Sequence, residues 1–297
     1  MKTPARLLCL AFSLLIITGA KYTWEEKFNI KSIEKAMMKI SDSLYACEYE
    51  TPNLQYRTFL NELKAANKND DYKIAEVDTE GWCKKYPYAY NDPLTKTYFW
   101  HPAYYYYPVV NMKYEGAVLF CNWLTEKYNS WKGRKFKKVR FWLPTGTEWE
   151  FAARGGLKEK NYPWGNSLQT REKKYGWRFK YMCNYRPVGD ERIKAVADTS
   201  KDLYGVMNTF EVKKDNIGVS FTDDGGTYTV KIWAYDPNGY GLYNMSGNVA
   251  EMVSEKGIVR GGSWANTGYD VRIKAERKFE NSSPEIGFRY FMEVIEK

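Results

Sequence analysis

A chain of 297 residues is long enough to bury a real core, and with no proline- or serine-rich linker it reads as one large domain rather than two small ones. The formal net charge of +9 could favour anionic partners, but the basic residues are scattered. The densest run, Lys132 to Arg140, reads as a connector between a helix and a strand, which argues against nucleic-acid binding.

Residues 1–20 have the pattern of a secretory signal. Lys2 and Arg6 form the charged start, Leu7 to Ile17 the apolar core and Thr18-Gly19-Ala20 the small-residue cleavage site. The apolar run is too short to span a bilayer comfortably. Position 21 is Lys where a lipoprotein would need Cys, so an exported protein of the periplasm or outer-membrane periphery is expected, without a lipid anchor or a transmembrane segment. Removal of residues 1–20 takes away Lys2 and Arg6 and lowers the net charge from +9 to +7. Export permits disulfides among Cys47, Cys83, Cys121 and Cys183, whose pairing the sequence leaves open, and their spacings do not fit a zinc site.

Residues 21–43 read as a leader. Ile30, Ile33, Met37 and Met38 recur at helical spacing within Tyr22 to Ile40, which predicts an amphipathic helix whose ridge faces a partner or its own domain. The domain proper is expected over 44–297. A strand begins near Tyr45, and Thr51-Pro52-Asn53 turns it into a helix with Thr51 as N-cap, Pro52 as first helical residue and Leu54, Phe59 and Leu63 facing the core. Lys64 to Tyr107 is polar and aromatic and reads as surface loops. Its final Tyr104, Tyr105, Tyr106 and Tyr107 either pack between loops or form a binding face.

Tyr114 to Tyr128 is predicted helical, because Ala117, Phe120, Cys121 and Leu124 share one face. Val139 to Leu143 reads as a strand. Thr145 and Glu148 then form a capping box that opens a helix closed by Gly155. Tyr162 to Gly165 is a turn, and the stretch from Cys183 to Ser220 is irregular. Asp223 to Gly226 is a second turn, Tyr228 to Ile232 a strand, and Asp236 to Gly239 a third turn.

That third turn delivers the chain to Gly241–Glu251, GLYNMSGNVAE, which sets glycines, asparagines and one acid between aliphatic anchors. Glycine permits backbone angles that other residues resist. Carbonyl oxygens, an Asn amide and a carboxylate are the hard ligands that Ca²⁺ takes. Asn248 and Glu251 are therefore candidate calcium ligands, and the alternative is an Asn-mediated turn into a short buried segment.

The ordered set LPTGTEWEFAARGG, YPWG, PNGYGLYNMSGNVAEMV, VRGGSW and GFR resembles the formylglycine-generating enzyme (sulfatase-modifying factor) family over about residues 44–294. The resemblance implies an α+β fold, a variant of the C-type lectin fold with much irregular structure, carrying an insertion at about 187–222. Cys183-Asn184, Asp224-Gly225-Gly226 and Ala250 more narrowly resemble gliding-motility and type IX secretion ring lipoproteins of Bacteroidetes.

The family's enzymes oxidise a substrate cysteine with copper held by two cysteines between the GGS motif and the terminal GFR. Here Trp264 to Ile286 contains no cysteine, and Lys274 stands at about the place of the second one. A second branch uses iron held by histidines, whereas this chain has His101 alone. The resemblance therefore implies a non-catalytic member with no copper and no iron. It also implies structural calcium at Asn248 and Glu251, and at a second site made by Asn184, the Tyr185 carbonyl, Asp224 and the Gly226 carbonyl. The expected role is that of a scaffold or interaction component with a protein partner in the cell envelope. The alternative is a lectin-like module binding a glycan or peptide, with Tyr104 to Tyr107, Trp264, Arg277 and Arg289 as candidate contacts. A third reading is an enzyme with an unrecognised site near Arg277 and Arg289.

Overall fold

The computed structural model of the chain describes residues 28–87, 92–171, 179–188, 194–198, 209–213 and 224–297. The signal-like residues 1–20 and most of the expected insertion lie outside the described residues, as does most of the irregular stretch before Ser220.

Helix α1 (Lys31–Ala36) passes directly into strand β1 (Met37–Lys39), which pairs antiparallel with β2 (Leu44–Cys47). The helix expected up to Ile40 thus stops at Ala36. Met37 lies opposite Cys47 in the sheet, and this ladder takes up the backbone groups that a longer helix would have used internally. After β2 come α2 (Asn53–Ala65), α3 (Asn69–Ala75), α4 (Gly81–Lys85), α5 (Asp92–Thr97), α6 (Tyr114–Ser130), β3 (Lys138–Trp142) and α7 (Gly146–Arg154).

The segment read as loops from Lys64 to Tyr107 therefore contains three short helices and a 3₁₀ turn, Pro102–Tyr104. Pro52, and not Thr51, occupies the N-cap of α2. Thr51 is instead held extended between neighbours: its N–H donates to the Phe288 carbonyl and its own carbonyl accepts from Val109. The expected core face of α2 is buried at Leu54, Phe59 and Leu63, as is that of α6 at Ala117, Phe120, Cys121 and Leu124. The capping box forms on α7, and Gly155 closes that helix at φ +54°, a conformation open to glycine.

Hairpins β4–β5 (Gln169–Arg171, Phe179–Tyr181) and β6–β7 (Lys194–Asp198, Thr209–Lys213) follow, then β8 (Ala250–Met252), β9 (Ile258–Arg260), β10 (Glu276–Lys278), β11 (Ile286–Phe288) and β12 (Phe291–Glu296). One sheet has the order β1-β2-β12-β3 and another β10-β9-β8-β11, with β8 and β11 parallel. The architecture is α+β. Tyr228 to Ile232 makes no ladder, because the Val230 N–H donates to the Asn248 side chain and the Ile232 N–H to the Tyr106 carbonyl.

The main core lies where α2 and α6 cover the first sheet. Tyr56 stacks on Phe120 at 5.7 Å, Phe288 and Tyr290 pack edge-on or tilted around them, and the Tyr56 hydroxyl is satisfied by the Ala75 carbonyl. Burying each such ring contributes about 1.5–3 kcal/mol. Cys47 and Cys121 belong to this core and Cys183 to another cluster, and Cys47, Cys83 and Cys121 form no disulfide with one another among the described residues. Among the described residues no helix is long and apolar enough to cross a membrane.

Candidate functional site

The loop 241–251 is threaded against Asn184 so closely that only glycine fits at its centre. Gly247 has φ +79°, and a Cβ there would sit 2.2 Å from the Asn184 carbonyl oxygen. That carbonyl accepts the Asn248 N–H at 2.8 Å. Asn244 and Asn248 both take left-handed φ, at 53° and 61°, which asparagine tolerates better than most residues. Their amides consequently turn inward.

They meet a carboxylate that sequence reading missed. Glu50, three residues after β2, is fully buried and accepts from Asn248 Nδ2 at 2.6 Å, from Asn244 Nδ2 at 3.1 Å and from the Val249 N–H at 3.1 Å. The one signal in the sequence is an acid in an apolar and aromatic segment immediately before a turn. Glu251, on β8, is fully buried as well. It accepts from Arg289 Nε at 3.1 Å and Nη2 at 2.8 Å, and from Trp149 Nε1 at 2.7 Å. Arg289 spends its other donors on the Cys47 and Tyr243 carbonyls, so it is a core ion-pair partner that exposes nothing to solvent and is unavailable as a surface contact.

Glu251 is thus bonded directly to the guanidinium, while the buried Glu50 feels it through space. Burial first, and the neighbouring Glu251 charge second, push the Glu50 carboxyl up to about 8, against the opposing pull of Arg289. Burial likewise pushes the Cys47 thiol up, which leaves it a poor nucleophile.

The two expected calcium sites differ in how well their residues fit a cation. At the second, the Asn184 side-chain oxygen is buried with no protein donor. Asp224 lies beside it, gathering the Tyr185 and Gly226 N–H groups at 2.7 and 3.2 Å. A Cβ on Gly226 would come within 3.0 Å of the Asn184 oxygen, so this open amide oxygen stands beside the Asp224 turn, and amide and carboxylate oxygens are hard ligands of the kind Ca²⁺ takes. At the first, the Glu251 oxygens are filled by Arg289 and Trp149, and the Asn248 oxygen by the Val230 N–H. As a pair, Asn248 and Glu251 do not fit a divalent ion. The oxygens left over in that loop are Asn244 Oδ1 and Ser246 Oγ, both buried without a donor.

The remaining candidates are spread over several surroundings. Tyr105 is buried beneath the Arg57 guanidinium, Tyr104 packs on Tyr98 and Tyr107, and Tyr106 packs on Trp233. His101 is exposed and caps the Ala103 N–H. Trp264 is mostly buried, donates to the Pro284 carbonyl, and with Tyr86, Arg186 and Tyr228 lines a cavity of about 590 Å³. Arg277 pairs with Glu285 at 2.8 Å. Burial alone would raise that carboxyl, but Lys85 and Arg277 together hold it below the ordinary range. Between Trp264 and Ile286, Asn266 accepts from Ser263 and Asp270 from Thr267, so the interval is fixed by short polar bonds.

Residues 25–294 match the sequence model of the sulfatase-modifying factor enzyme 1-like domain. A formylglycine-generating enzyme of Thermomonospora curvata is 29% identical over 61% of this chain and 41% of its own length. A mouse protein named inactive C-alpha-formylglycine-generating enzyme 2 is 29% identical over 61% of this chain and 48% of its own. The chain thus spans less than half the length of these curated relatives, which include an enzyme and an inactive protein. Among solved structures, PvdO from Pseudomonas aeruginosa is 18% identical with a TM-score of 0.40, covering 64% of this chain and 63% of that one. Treponema denticola variable protein 1 is 17% identical with a TM-score of 0.45, covering 86% and 90%. With its motifs in family order and a match across nearly its whole length, the chain belongs to the formylglycine-generating enzyme (sulfatase-modifying factor) family.

Proposed function

We propose that this chain is a non-catalytic member of its family, exported to the cell envelope, where it acts by binding a protein partner. The observation that supports this is the interval from Trp264 to Ile286. It lacks cysteine, and soft thiolates are what Cu(I) requires. The residues there cap loops and pair charges, and a single histidine is too few for the iron-dependent branch. Incubation with a cysteine-containing sulfatase peptide, copper and oxygen, followed by mass spectrometry, is expected to leave the peptide unchanged. Loss of mass at the cysteine overturns the proposal. In pull-downs from envelope extracts a partner is expected under mild conditions, and recovery of free monomer alone counts against it. The narrower likeness to secretion-ring lipoproteins rests on the sequence combination at Cys183, Asp224 and Ala250.

Calcium belongs to this proposal as a structural ion held by Asn184, Asp224 and adjoining carbonyls, where it would tie together loops too polar to build their own core. A second reading, a lectin-like ligand module, is favoured by the aromatic cavity at Trp264. A glycan array with no binding to any class would sink it.

A further inference from the structure

The loop that follows Trp264 carries an arginine with no hydrogen-bond acceptor among the described residues. Arg272 has its Nε buried without a partner. Its guanidinium is held 4.5 Å from the ring of Tyr269, which is itself 67% exposed. The side chain as a whole is half-buried, so the Nη groups are the part of the guanidinium that an acceptor from outside the chain can reach. On the same loop Asp270 accepts from the N–H and hydroxyl of Thr267 through Oδ2, and no ion pair joins it to Arg272 among the described residues.

Arg272 and Tyr269 stand between two cavities of about 450 and 400 Å³ and line both. Lys160 and Lys274 border the first, with Glu159 as its one acid, and neither lysine forms an ion pair among the described residues. Asn161 and Asn166 line the first and second cavity respectively, and the Asn166 Oδ1 accepts from the Asn161 N–H at 3.2 Å. The pair of cavities therefore offers three cations against one anion, neutral hydrogen-bonding groups in each half, and a flat aromatic ring presented to solvent in the middle.

We propose that the two cavities form one binding site for an acidic saccharide, with the oxyanion of a sulfated or uronic sugar on Arg272 and a sugar ring lying on Tyr269. Guanidinium presents a planar fork that matches a carboxylate or sulfate. Tyrosine supplies a rigid contact area at low entropic loss, suited to the C–H face of a pyranose. The Asn161 amide and the Asn166 NH₂ suit ring hydroxyls. The inference is independent of a ligand at Trp264, because neither Tyr269 nor Arg272 lines that cavity.

The test is calorimetric titration of the purified chain with three tetrasaccharides: a sulfated one, an unsulfated uronic one and a neutral one. At least one acidic ligand binds and the neutral one does not, and comparison of the two acidic ligands identifies which oxyanion is read. Arg272→Gln lowers affinity about tenfold or more, as loss of a charged hydrogen bond does. Tyr269→Ala weakens binding with its salt dependence intact, and Lys274→Gln weakens it chiefly at low salt. Tyr269 and Lys274 are exposed, so these two variants keep the parent melting temperature and separate lost binding from lost folding. Equal binding of the neutral sugar, no binding of any, or affinity unchanged in all three variants overturns the proposal. So does acidic binding that Trp264→Ala removes and Arg272→Gln does not. Polyglutamate that binds as tightly, with the same dependence on Arg272, overturns the assignment to a saccharide.

Discussion

Replacing Arg289 with methionine probes the centre of the molecule most directly. The substitution keeps much of the side-chain length and removes three bonds to the Glu251 carboxylate and one each to the Cys47 and Tyr243 carbonyls. Glu251 would remain fully buried with Trp149 as its side-chain donor among the described residues, and Glu50 would lose the opposing pull of Arg289. Breaking one side of a buried pair destabilises by about 3–5 kcal/mol, because the partner's charge is stranded. At ~2–4 °C per kcal/mol for a chain of this size, the melting temperature should fall by roughly 6–20 °C. Urea unfolding of the parent, Arg289→Met, Glu251→Met and the double variant closes a cycle, in which the double should be less damaged than the two singles summed by about 2 kcal/mol. A single variant within about 1 kcal/mol of the parent, or additive singles, would refute the coupling described here.

Glu50 makes a pH prediction of definite sign. Its folded carboxyl is raised from 4.5 to about 8, so between these values the folded state holds a proton that the unfolded chain has released. Stability from this group is fully present below about pH 4.5 and lost as pH rises through about 8, at up to ~1.4 kcal/mol per pH unit. Glu50→Gln should flatten that slope in unfolding measured from pH 5 to 8, and an identical slope would contradict it. Gly247→Ala should destabilise by at least about 2 kcal/mol, since a left-handed backbone and a 2.2 Å contact with the Asn184 carbonyl compound each other. Gly156→Ala, with φ +85° and nothing within 4 Å, should cost about 1 kcal/mol, and parity of the two in chemical denaturation would remove the role given to close approach. Millimolar calcium should raise the melting temperature of the parent by the equivalent of about 1–3 kcal/mol and leave Asp224→Asn unmoved. A parent melt indifferent to both calcium and chelator would dismiss that ion.

Where structure is decided within a few residues, the sequence could be read. The capping box, the Gly155 stop and the stripe of α6 each depend on partners at most four positions apart, and each formed as expected. The motifs also carried the family. Met37 and Met38 satisfied a helical spacing and became a strand, because Cys47 and Ala46 offered a ladder that periodicity does not encode. Val230 resembled a strand residue and is bonded to an asparagine side chain instead. Glu50 escaped notice because its partners Asn244, Asn248 and Val249 lie 194–199 positions away, at a range where no local pattern exists. Arg289 stood out by its motif, yet only packing could show that its donors are spent inside.

The position of β12 bears on how the protein folds. Residues 291–296 lie between β2 and β3, pairing with partners that precede them by up to 249 and 158 positions. Until residues 291–296 are in place, the first sheet has a vacant middle, and β2 and β3 present unpaired edges of the kind that recruit other chains. Folding should then be slow and should reach completion in a single late step, since loop closure precedes the reward of long-range pairing. During that interval the chain's main hazard is aggregation, and holding factors that mask strand edges would govern its yield more than any gain in final stability.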